Sequence, residues 1–223
     1  FYPELAAFLD RVMARLPGVE VVLVPMEGDL DRAAAEELAS HIARAAGGCP
    51  GAGTASGGEE AAGAGASSRV ATASGTGEAA VAVAVSGRGR GEPVPPGARR
   101  PRVHVLSTHD DPADLEALVA GSWLAVGMRL HFLLFAARAG VPVLALNYDP
   151  KVAGAMARLG MSRYVFELDR VRAADLLSAL EELVARYDEV SRTLREAAAG
   201  LAPLAAANLD YVDAAVARTL GPS

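Results

Sequence analysis

The chain has 223 residues, 52% of them hydrophobic and 22% charged, with a net charge of −6 and one cysteine, Cys49. That length and apolar content support one sizeable folded domain rather than a disordered chain. The acidic balance argues against non-specific nucleic-acid binding, a lone cysteine excludes an intrachain disulfide or a cysteine-based metal cluster, and no apolar run reaches the roughly 20 residues of a membrane span.

The start, Phe1-Tyr2-Pro3-Glu4, has no initiator Met and no signal-peptide pattern, and reads as a cut inside a longer protein. The first predicted element is a helix over Pro3–Leu16, with Leu5, Phe8, Leu9, Val12 and Leu16 at helical spacing and Pro17-Gly18 as its stop. Val19 to Pro25 is rich in β-branched residues and reads as a buried strand. Asp29 is the expected N-cap of a helix through Ala46, with Leu30, Ala34, Leu38 and Ile42 on one face.

Residues 47–101 change character, to Gly, Ala and Ser with a Pro/Arg-rich end. Such a composition buries too little apolar surface to offset its ordering entropy, so the segment is expected to be a flexible insertion. Within it, Ala80–Val85 reads as a short strand, and the arginines from Arg88 to Arg100 as a solvated loop that could meet anionic lipid or phosphate.

Alternation then resumes. Strands are expected at Arg102–Leu106, Trp123–Val126, Val141–Leu146 and Tyr164–Phe166. Between them lie helices at Pro112–Ala120 (capped by Asp110 or Asp111), from Met128 or Arg129 to Ala139 before Gly140, and at Pro150–Leu159 before Gly160. Helices over Ala173–Tyr187 and Val190–Leu220 follow, the last with a break near Pro203. This order predicts an α/β fold over residues 1–223, a Rossmann-like parallel sheet with helices on both faces.

In such sheets ligands gather outside the carboxyl ends of the strands. Two strand ends carry chemistry. In Val126-Gly127-Met128-Arg129-Leu130-His131 a strand gives way at once to a helix, whose first N–H groups and partial positive charge adjoin Arg129 and His131. That combination suits a small anion, and the imidazole titrates near neutrality and can move a proton. The structural alternative pairs Arg129 with a carboxylate and makes His131 a loop cap. In Asn147-Tyr148-Asp149-Pro150-Lys151 the aspartate caps a helix and Lys151 falls in its first turn. Lys151 is the one lysine among 21 basic residues, which points either to codon bias or to a need for a compact ammonium. Tyr148 and Asp149 read as a capping turn with a secondary claim on the site. His109, beside Asp110 and Asp111, could meet an acceptor sugar or form a polar turn. Glu27 and Asp29 could reach the cleft, whereas His104 and His41 read as structural. No metal-ligand spacing, P-loop or dinucleotide fingerprint occurs.

The run from Val126 to His131, then Phe135-Ala136-Ala137, Gly140-Val141-Pro142-Val143 and Tyr148-Asp149-Pro150-Lys151-Val152, resembles the polysaccharide pyruvyltransferase family, in particular its CsaB-type members. Val24-Pro25-Met26 with Asp29, and Leu159-Gly160, resemble flanking family segments. The resemblance implies a GT-B-like two-domain enzyme of which this chain is the C-terminal half, with phosphoenolpyruvate as donor substrate and no cofactor or metal. It implies His131 as general acid/base, with Arg129, the Leu130 backbone and Lys151 on the donor's carboxylate and phosphate, and Gly127 and Met128 are expected to join them in substrate binding. A further donor-binding arginine is implied in the N-terminal half. The implied acceptor is a sugar or lipid-linked glycan of the cell wall, met in the cytoplasm or at the inner membrane face with peripheral membrane association. The resemblance leaves oligomeric state open. Two other readings stand beside it: a nucleotide-sugar glycosyltransferase or epimerase on the same fold, and a non-catalytic sugar-binding domain.

Overall fold

A computed structural model of the protein describes residues 1–16, 19–25, 28–45, 81–86, 102–106 and 111–220. Six strands form one sheet: β1 (Glu20–Pro25), β2 (Val81–Ser86), β3 (Arg102–Val105), β4 (Leu124–Gly127), β5 (Val143–Asn147) and β6 (Val165–Glu167), in the order β3-β1-β2-β4-β5-β6. Seven α-helices among the described residues surround it: α1 (Tyr2–Arg15), α2 (Gly28–Ala45), α3 (Pro112–Ala120), α4 (Leu130–Ala139), α5 (Pro150–Arg158), α6 (Ala173–Ala185) and α7 (Tyr187–Leu220). α1 packs on α2 and α6, while α4 packs on α3, α5 and α7, giving a helical layer on each side of the sheet. The expected α/β architecture is therefore present, and most strand and helix limits agree within a residue or two.

The sheet departs from the all-parallel expectation at its centre. β2 runs antiparallel to both neighbours, pairing Val83 with Leu23 of β1 and with Val126 of β4. The other adjacent pairs, β1–β3, β4–β5 and β5–β6, are parallel. The strand foreseen at Ala80–Val85 is thus a central one. Val83, Ala84 and Val85 are fully buried, because both faces of the sheet are covered there. The rest of the 47–101 segment, including Cys49 and the arginines from Arg88 to Arg100, lies outside the described residues.

Two helix limits also differ. α2 begins at Gly28, so Asp29 lies inside the helix rather than at its cap. α7 is continuous from Tyr187 through Pro203 to Leu220 instead of two helices. Proline removes one helical hydrogen bond, but the runs Ala197-Ala198-Ala199 and Ala205-Ala206-Ala207 on either side have the highest helix propensity. Gly140 and Gly160 end their segments at φ 73°, the left-handed conformation expected of a helix-terminating glycine.

A carboxylate ties α1 to the start of α6. Arg172, the N-cap of α6, makes no side-chain capping bond; Glu4 of α1 substitutes, accepting the Ala173 N–H at 2.8 Å beside the Arg172 guanidinium. That backbone hydrogen bond, helped by Arg172, holds the Glu4 carboxyl below the usual glutamate range. A carboxyl with a folded-state pKa below its unfolded value contributes stability above the unfolded pKa and loses it as pH falls through the folded one. Wild type should therefore lose stability on acidification below about pH 4.5 more steeply than Glu4→Gln, with the two melting curves converging at low pH. Parallel Tm–pH curves for the two proteins would show that the cap contributes nothing.

Candidate functional site at the carboxyl edge of the sheet

β1, β4, β5 and β6 are mutually parallel in direction, so their carboxyl ends share one edge. The helix after β1 joins the α1/α6 layer, whereas the helix after β4 joins the α3/α7 layer. Successive parallel strands whose helices leave to opposite sides create a crevice, which is where doubly wound sheets bind ligands. Here β2 lies between those two strands.

Gly127 closes β4, and the chain turns directly into α4. Gly127 and Met128 are buried; the Met128 side chain belongs to the core, so only its backbone is available to a ligand. Arg129 is the N-cap of α4, in extended conformation, and supplies no side-chain capping bond. Leu130 is the first helical residue and half-buried; His131 is the second and exposed. The first N–H groups of a helix have no intrahelical acceptor, so this turn presents donors and partial positive charge beside an imidazole. α3 and α5 differ, each being capped by its own aspartate: Asp111 accepts from Ala113 N–H and Asp149 from Lys151 N–H.

The carboxyl end of β5 lies next to that of β4, with Gly127 opposite Ala145, about 5 Å away across the ladder. Asn147 ends β5 and donates from Nδ2 to Glu167 Oε1 on β6 at 2.9 Å. Asp149, half-buried, takes the capping role foreseen for it. Its carboxyl is held below the usual range chiefly by the Lys151 N–H. Lys151 Nζ lies 3.2 Å from Asp149 Oδ2 and 5.7 Å from the centre of the Tyr148 ring. The Asp149 contact raises the Lys151 ammonium above the ordinary lysine range, so it is a permanent cation at neutral pH. Lys151 and His131 therefore occupy the first turns of adjacent helices on one edge of the sheet. His109, Asp110 and Glu27 lie outside the described residues, as does the Asp29 side chain. His104 sits on edge strand β3 with Nε2 3.9 Å from Glu20, and His41 lies on α2 with Nε2 3.7 Å from Glu37.

One residue of the site escaped the sequence reading. Asp31 of α2 is 2% exposed, and its Oδ2 lies 3.7 Å from Nη2 of Arg129. The carboxylate alternative for Arg129 is thus realised, through a residue on the opposite helical layer. The signal was present: Asp31 falls at helical spacing with Ala35, Leu38 and Ile42, a charge on the buried stripe of an amphipathic helix.

Among the described residues no cluster of His, Cys, Asp or Glu could hold a metal ion, and no helix is long and apolar enough to cross a membrane. Comparison with known proteins gives a consistent picture. A stretch of 84 residues, 38% of the chain, is 26% identical to the amylovoran biosynthesis protein AmsJ of Erwinia amylovora and spans 20% of that protein. No solved structure matches the chain. The sequence profile of polysaccharide pyruvyl transferases matches residues 62–150, which contain β2, β4 and β5, the Arg129–His131 turn and the start of α5. Over that segment, 89 of its 223 residues, the chain is similar to the polysaccharide pyruvyl transferases.

Proposed function

We propose that the protein transfers a pyruvyl group from phosphoenolpyruvate to two hydroxyls of a sugar, forming a cyclic ketal and releasing phosphate. The observation that carries this reading is the α4 N-terminus: its N-cap is an arginine without a capping bond, an exposed imidazole follows two residues later, and the chain's one lysine stands in the first turn of the neighbouring helix. The reaction needs a proton delivered to the terminal enol carbon, converting CH2 to CH3. It then needs one sugar hydroxyl to add at the cationic C2 with loss of its proton, phosphate to leave with the C–O bond electrons, and the second hydroxyl to close the ring with loss of its own proton. His131 is the proton-transfer group for this sequence, since an imidazole can both give and take a proton. Arg129, Lys151 and the first N–H groups of α4 face the donor's carboxylate and phosphate, where pre-placed positive charge stabilises the leaving phosphate. No step of this sequence calls for a metal ion. The name of AmsJ, an amylovoran biosynthesis protein, supports an acceptor of the same broad class, a glycan under assembly. The enzyme would then work in the cytoplasm or at the inner membrane face, on a lipid-linked or soluble glycan.

The test is a phosphate-release assay on the protein with phosphoenolpyruvate and candidate glycan acceptors, run beside binding of a UDP-sugar. Acceptor-dependent phosphate release supports pyruvyl transfer. UDP-sugar binding with no use of phosphoenolpyruvate would move the assignment to a nucleotide-sugar enzyme. Donor binding without turnover would indicate a binding module.

Lys151 makes a sharper expectation. Its ammonium is a point donor tucked against Asp149, and a guanidinium is larger and planar. Lys151→Arg keeps the charge, yet should raise the KM for phosphoenolpyruvate by about tenfold, a cost of one misplaced charged hydrogen bond. Superimposable donor titrations for the two proteins would remove Lys151 from the donor site.

A further inference from the structure

Beyond β5 the carboxyl edge of the sheet ends in a polar pair. Asn147 and Glu167 are register partners at the ends of β5 and β6, and Asn147 Nδ2 donates to Glu167 Oε1 at 2.9 Å in an exposed hydrogen bond. Both backbones are pinned. Leu168 N–H bonds the Asn147 carbonyl at 3.0 Å, and the Arg170 and Val171 N–H groups bond the Glu167 carbonyl at 3.0 and 2.9 Å. A carboxylate only accepts hydrogen bonds, so the amide nitrogen faces Glu167 and the amide oxygen faces away. Oδ1 is covered there and has no hydrogen-bond partner. An orphaned acceptor costs the fold free energy, so stability alone does not select asparagine at this position. Glu167 is exposed, and a carboxylate offers about four lone-pair sites, of which Asn147 engages one.

Charge is graded along the edge. The start of α4, at the end of β4, presents helix N–H groups and partial positive charge, which suit an anion. Two ladder spacings away, about 10 Å, Glu167 presents a carboxylate, which repels an anion and accepts from hydroxyls. Transfer from an anionic donor to a neutral polyol needs two such zones side by side. We propose that Glu167, oriented by Asn147, binds the acceptor: its carboxylate accepts hydrogen bonds from hydroxyls of a neutral hexopyranose lying across the end of β5. These are hydroxyls other than the two that form the ketal, since those stand at the donor. The inference rests on the pyruvyl-transfer reading and adds the acceptor's place to it.

The experiment titrates methyl glucoside, methyl galactoside and methyl mannoside into wild type, Glu167→Gln, Glu167→Ala, Asn147→Ala and the double alanine variant, by ligand-observed NMR. Inorganic phosphate is titrated separately as the anion probe, and thermal unfolding is recorded alongside. Wild type should bind at least one glycoside. Glu167→Ala should weaken that binding about tenfold, the loss of one hydrogen bond to a charged group. Glu167→Gln, which keeps the shape of the side chain, should weaken it in the same direction. Adding Asn147→Ala to Glu167→Ala should cost less than about a further twofold, since both substitutions break one unit. Phosphate should bind every variant at least as well as it binds wild type, because the change removes no positive charge. Unchanged sugar affinity in Glu167→Ala overturns the proposal. So do losses that multiply in the double variant, phosphate binding that weakens in step with sugar binding, or a wild type that binds none of the glycosides. The readout is binding, so the two readings fail separately. Sugar binding that is lost in Glu167→Ala, with no use of phosphoenolpyruvate by wild type, keeps the sugar subsite and removes pyruvyl transfer. Phosphoenolpyruvate-dependent phosphate release with sugar affinity unchanged in Glu167→Ala does the reverse.

Discussion

Replacing His131 with Ala should abolish pyruvyl transfer and leave the fold as stable as before. The imidazole is exposed at the second position of α4, outside the core on which that helix packs through Phe132, Leu133, Ala136 and Ala137. Exposed substitutions without special contacts change stability by about 0.5 kcal/mol or less. The chemical loss is far larger. General acid/base catalysis contributes about 10²- to 10⁴-fold, and protonation of an enol carbon by water in its place is slow. Phosphate release falling by that factor, with an unchanged Tm and retained phosphoenolpyruvate binding, is the expected combination. Activity within a few-fold of wild type would assign the proton to another group. Binding lost together with activity would make His131 a donor contact instead.

The second large effect concerns folding. Val83→Asp should leave the chain unfolded or molten. Val83 is fully buried in β2, facing Leu23 on one side and Val126 on the other in the hydrogen-bonded register. An aspartate there has no cation foreseen by the packing, and an unpaired buried charge belongs to the class of substitutions costing more than 4–5 kcal/mol. Domains of this size are stable by about 5–15 kcal/mol, so the loss consumes much of the total. Loss of the near-ultraviolet dichroism and of a cooperative melt is the expected readout. A Val83→Asp protein with a wild-type melt would show that β2 is dispensable to the sheet.

Val83 also illustrates what the sequence conveys. Apolar runs such as Val141–Leu146 and Val19–Pro25, each bounded by Gly or Pro, identify their strands because burial on both faces demands continuous hydrophobicity. The caps at Asp111 and Asp149 and the glycine stops at Gly140 and Gly160 were legible for a local reason: the hydrogen bonds and φ they supply involve residues only a few positions apart. Direction is another matter. Val-Ala-Val-Ala-Val has no polarity that distinguishes parallel from antiparallel, and the Gly/Ala composition around it obscured its central place. The Pro203 break failed because helix propensity in the alanine runs outweighed a local rule. The Arg129–Asp31 contact is long-range, joining residues 98 positions apart by number, and no local pattern encodes a partner at that separation. Arg129, His131 and Lys151 were legible as candidates from their places after strands. What each side chain touches became visible only with the fold.

The reversed strand has one more effect on the rim. A parallel strand between β1 and β4 would end there and launch a helix of its own into the opening. β2 instead starts there, Val81 standing opposite Pro25, so the strand contributes only its entry point. Two ladder spacings, about 10 Å, then separate the launching points of α2 and α4. Polarity in the middle of the sheet thereby acts as a spacer, holding apart two walls that an unbroken parallel array would have filled with backbone.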